Sequence, residues 1–133
     1  MIRLATYLCA AFLIAPAPAA IAMQGAVPSR VQDFAICLGR LSAMMANPGI
    51  LPDLSPDQIR ADRQDFTDLL MASLPGATDS DMRHKAMTWR VQARAAQSGL
   101  LRIAAYSTDA RRVRIAQATL RRQVLACHGM LPR

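Results

Sequence analysis

The sequence is short of several residues that chemistry usually needs. Glutamate is absent, lysine occurs once, and there are two histidines in 133 residues. No HExxH pattern, no glycine-rich phosphate loop and no serine or cysteine nucleophile with a neighbouring base can be found, so the sequence carries no support for an enzyme. His84 and His128 stand far apart, whereas structural zinc needs four ligands, usually in close pairs; both read as surface histidines, and no metal or cofactor is expected. Aromatic residues make up only 5% of the chain, which disfavours a nucleic-acid surface built on base stacking.

What is present is divided sharply along the chain. Arg3 is the sole charge before Arg30, and Leu4 to Ile14 is an apolar run that Pro16 and Pro18 interrupt. Ala20-Ile21-Ala22 then offers small residues for a peptidase. This is the layout of a secretory signal, 1–22, cleaved before Met23. The run is too short to span a bilayer, which takes roughly 20 apolar residues, so no membrane anchor is expected after cleavage. Leu8 before Cys9 lacks the small residue that lipidation requires. The domain is therefore 23–133, periplasmic or secreted.

That domain keeps two cysteines, Cys37 and Cys127. In an oxidising compartment one bridge is the default, and it would close a loop of about 90 residues, where chain entropy alone gives roughly 4–5 kcal/mol.

Charge is lopsided too. Residues 24–81 hold four basic and eight acidic groups, while 82–133 hold eleven basic groups and only Asp109. Packing the acidic half beside the basic half neutralises part of this, and a net positive surface remains.

Apolar spacing predicts four helices. The first runs from Ser29, as its cap, to Met45, with Val31, Phe34, Leu38, Leu41 and Met45 on one face. Ser55-Pro56-Asp57-Gln58 is a start signal for the second, whose Ile59, Phe66, Leu70 and Leu74 face inward and which Leu74-Pro75-Gly76 stops. Arg63 falls on that inward line, its head kept in water. Asp57, Asp62, Asp65 and Asp68 fall on the solvated side. The third helix opens at Thr78 or Ser80, with a seam of Met82, Ala86, Trp89, Ala93, Ala96, Leu100 and Ile103 that Gly99 could bend. The fourth follows Ser107-Thr108-Asp109, buries Val113, Ala116, Leu120, Val124 and Cys127, and stops at Gly129. Together these predict an all-α, antiparallel four-helix bundle with one disulfide, in which the end of the fourth helix lies near the start of the first and brings Cys127 toward Cys37.

Exported bundles of this size resemble the cytochrome c-prime family, whose attachment motif lies near the C-terminus. Cys127-His128 stands in that place, but Val124 occupies the position of the second cysteine, which argues against haem. The stretch Cys37-Leu38-Gly39-Arg40-Leu41-Ser42-Ala43, with Trp89-Arg90 on a later helix and Cys127 at the close, resembles a group of short exported helical proteins of Gram-negative bacteria. The resemblance implies a location and a fold, and no activity.

The remaining candidate is a surface rather than a catalytic site. Arg83, Arg90 and Arg94 stack on the third helix, and Arg111, Arg114, Arg121 and Arg122 cluster on the fourth. The expectation is a non-catalytic binding module that meets an envelope protein or an anionic lipid or glycan through these arginines. The alternative is a bundle that carries a small ligand or cofactor in a core lined by alanine, methionine and tryptophan.

Overall fold

The computed structural model of the protein describes residues 26–74 and 80–132. The predicted leader and its cleavage point lie outside them, as do the Pro75-Gly76 stop and Thr78. Four helices make up the described chain: α1 Ala26–Met45, α2 Pro56–Ser73, α3 Ser80–Tyr106 and α4 Ala110–His128. No strand occurs among the described residues, and none of these helices is long and apolar enough to cross a membrane.

The fold is an all-helical bundle with α1 through its middle. This helix packs most extensively on α3 and α2, α4 packs chiefly on α3, and α1 touches α4 more sparingly. The central position explains why α1 is buried on more than the one face its apolar spacing suggests: Ala35, Cys37, Ala43 and Met44 are buried along with Val31, Leu38 and Leu41. Phe34 leans on Phe66 of α2, ring centroids 5.9 Å apart. Cys37 and Cys127 are joined, closing the link between α1 and α4.

The tightest crossing lies between α1 and α3. A Cβ on Gly39 would overlap the carbonyl oxygen of Arg90 and stand 3.1 Å from the Cβ of Ala93. With no side chain at position 39, the two backbones meet there, beside Ala93 of α3.

Local signals set the starts of α2 and α4. Ser55 caps α2, its hydroxyl accepting from the Gln58 amide, with Pro56 at the first position. Asp109 caps α4 by accepting from the amides of Arg111 and Arg112. Two expectations need correction. α1 begins at Ala26, so Ser29 lies inside the helix and is no cap; Pro28 sits in the first turn, where a missing N–H costs nothing. α3 runs unbroken through Gly99, and its buried stripe is Ala86, Gln97 and Leu101, with Ala96 left exposed.

Candidate anion-binding face

Seven arginines formed one predicted surface, and the fold distributes them to distinct places. On α4, Ala116, Leu120, Val124 and Cys127 point inward, so the opposite side of the helix faces water. That side carries Arg111, Arg114 and Arg122, all exposed. The same side carries two exposed aliphatic residues, Ile115 at 57% and Leu125 at 51%. No acidic residue lies anywhere in α4, and among the described residues no carboxylate pairs with these three arginines. The face is therefore cationic with an apolar component.

Arg121 lies at the edge of this face and is turned aside. Its Nε donates to Oδ2 of Asp53 at 2.7 Å and its Nη2 to Oδ1 at 2.8 Å, a two-pronged bond to the loop between α1 and α2. The guanidinium holds the Asp53 carboxyl below its ordinary value, first through the hydrogen bonds and then through charge, and the carboxylate in turn raises Arg121. Both side chains are about half exposed, so the pair fixes a loop more than it adds stability.

On α3, Arg94 is exposed, while Arg83 and Arg90 line a groove that opens toward α2. Half-buried Arg40 of α1 has its guanidinium pushed down by burial, in a shallow groove beside Trp89. Arg63 is half-buried and its Nε donates to Ser42 Oγ at 3.3 Å, while that hydroxyl donates back to the Leu38 carbonyl. The side chain therefore ties α2 to α1 as well as covering the core edge.

The acidic half behaves differently from expectation at one position. Asp57, Asp65 and Asp68 are exposed, as the helical period requires, but Asp62 is only 2% exposed. Its Oδ1 accepts from Gln58 Nε2 and its Oδ2 from His128 Nδ1, each at 2.7 Å. Neither Asp62 nor His128 is the freely solvated side chain the sequence suggests. The reason is tertiary: the C-terminal end of α4 reaches α2 just where the disulfide draws α4 toward α1. Gln58 four residues before Asp62 was a visible local signal; His128 had none.

Among the described residues, Asp53 pairs with Arg121 and Asp62 meets His128 between helices or loop and helix; Asp81 pairs with Lys85 one turn on in α3, and Asp57 with Arg60 within α2. The basic face of α4 thus stays uncompensated. Among the described residues no cluster of histidine, cysteine and carboxylate side chains could hold a metal ion. No protein-family model, curated protein or solved structure matches the chain.

Proposed function

We propose that the protein is an exported, non-catalytic binding module that docks on an anionic envelope surface through the outer face of α4. The observation that carries this reading is the uncompensated set Arg111, Arg114 and Arg122 with Ile115 and Leu125 exposed on the same side. Guanidinium groups meet phosphate or carboxylate head groups two-pronged, and the aliphatic residues enter the boundary between head groups and chains. Each arginine close to such a surface contributes about 1 kcal/mol, so the three together give on the order of a hundredfold in affinity. Export is supported by the predicted leader and by the Cys37–Cys127 bridge, which suits an oxidising compartment. The resemblance to short exported helical proteins of Gram-negative bacteria points to the periplasm.

The test is co-sedimentation of the oxidised protein with vesicles of phosphatidylcholine alone or mixed with phosphatidylglycerol. The anionic vesicles should bind it, salt should weaken the binding, and the triple variant Arg111→Glu/Arg114→Glu/Arg122→Glu should lose it. Equal binding by the triple variant, or equal binding to both vesicle types, sinks the proposal. A ligand carried in the bundle core, suggested by its alanine, methionine and tryptophan lining, draws less support, because Gly39 packs against one of those alanines, Ala93.

A further inference from the structure

Both α2 and α3 pack on α1 but make little direct contact with each other, which leaves a cleft between them. Its volume is about 590 Å³, within the range of roughly 300–1,000 Å³ typical of small-molecule sites. One wall is Leu70, Met71 and Leu74 at the end of α2, and the other is Ala86 and Met87 on α3. The two methionines are unusually open for apolar side chains, Met71 at 70% and Met87 at 66%. Arg83 and Arg90 flank Met87 on the same stripe of α3, four residues before it and three after.

We propose that this groove binds a single-chain anionic amphiphile, an apolar chain that ends in a carboxylate or a phosphate. The apolar walls suit the chain, methionine adapts to irregular shapes, and either arginine can hold the anion two-pronged. The dimensions favour a small ligand over a partner helix. The α2 wall is about one turn long, roughly 6 Å, because the helix ends at Ser73; the α3 wall spans about two turns, roughly 10 Å. A docked helix presents anchors at i, i+3, i+4 and i+7, about two turns, which is longer than the α2 wall. The site shares no residue with the α4 face, so the two readings stand or fall separately.

The experiment is calorimetry, with native mass spectrometry, on the oxidised protein. The probes are dodecanoate, lysophosphatidylglycerol and the cationic dodecyltrimethylammonium, each below its micelle threshold. One equivalent of an anionic probe should bind, and the cationic probe should bind at least about tenfold more weakly. Comparison of the two anions tells a carboxylate head from a phosphate head. Arg83→Glu/Arg90→Glu should weaken the anion at least about tenfold, and so should Met87→Glu, whose exposed position leaves the fold intact. Arg102→Glu, at an exposed position outside the groove lining and the α4 face, should leave the affinity unchanged. No binding by either anion, equal binding by the cation, or full binding by both groove variants would overturn the proposal. So would an acidic helical peptide that occupies the groove while both amphiphiles fail.

Discussion

Asp62 of α2 and His128 at the end of α4 meet at 2.7 Å, carboxylate to imidazole, with the carboxylate shut away from solvent. Gln58 takes the other oxygen of Asp62, so one buried side chain holds its own helix and the C-terminal end of another. Replacing Asp62 with alanine leaves both donors without their acceptor. The expected loss is about 2 kcal/mol, as for other buried hydrogen bonds to a charged group. Asp65→Ala, at an exposed position, should stay within about 0.5 kcal/mol of the wild type. Urea unfolding of the two variants checks this, and a double-mutant cycle with His128→Ala should return a coupling above about 0.5 kcal/mol. Equal stability of the two aspartate variants would mean the pair does no structural work.

That pair also marks where the sequence stops being readable. Helical period placed Asp62 with the three other aspartates, and for those three the period was right. Period describes one helix alone; it carries no information about a histidine 66 residues away that arrives through the bundle. The disulfide was readable because only Cys37 and Cys127 follow the apolar N-terminal run and the helix order brings them together. Caps at Ser55 and Asp109 were readable because they act within three residues. On α3 the apolar weight of Trp89 and Ala96 drew the expected seam to one side. The buried stripe instead passes through Gln97, a polar residue that no hydrophobicity argument places inside, and among the described residues its Nε2 has no partner. Among the arginines, composition gave the exposed face of α4. The diversion of Arg121 to Asp53, and of Arg83 and Arg90 to a groove, follows from packing that sequence patterning leaves open.

The Cys37–Cys127 bridge closes a loop of 90 residues and should dominate the stability of the domain. Chain entropy predicts a loss of about 4–5 kcal/mol when it is removed. Cys37→Ala/Cys127→Ala, or reduction of the native protein, should lower the denaturation midpoint accordingly. Mass spectrometry of the native protein should find no free thiol at either position. A midpoint that reduction does not move would show that the helices hold without the link.

Two glycines in helices should respond in opposite directions. Gly39→Ala places a methyl group against the Arg90 carbonyl and Ala93, which forces α1 and α3 apart. The expected cost is about 1–3 kcal/mol, the range for overpacking a tight contact. Gly99 has no described atom within 4 Å of where its Cβ would stand, and it lies inside α3. Alanine there should raise stability by about 0.5–1 kcal/mol through helix propensity alone. Thermal melts of both variants decide the matter; a stabilised Gly39→Ala would contradict the close crossing.

The bond between Asp53 and Arg121 predicts a pH dependence of defined sign. Arg121 holds the Asp53 carboxyl below its ordinary value of 3.8, so the unfolded chain takes up this proton more readily than the folded one. The contribution of the pair is therefore complete above that ordinary value and is lost as pH falls through the lower, folded one. Melting temperatures of the wild type and of Asp53→Asn should differ by a constant gap from about pH 6 down to about pH 5, and the gap should close below about pH 4. Because both side chains are half exposed, added salt should narrow the gap at every pH. Arg121→Gln should show the same pH dependence as Asp53→Asn, since either change removes the same bond. A gap that widens as the solution is acidified would reverse the sign and show that Arg121 is not what holds the Asp53 carboxyl down.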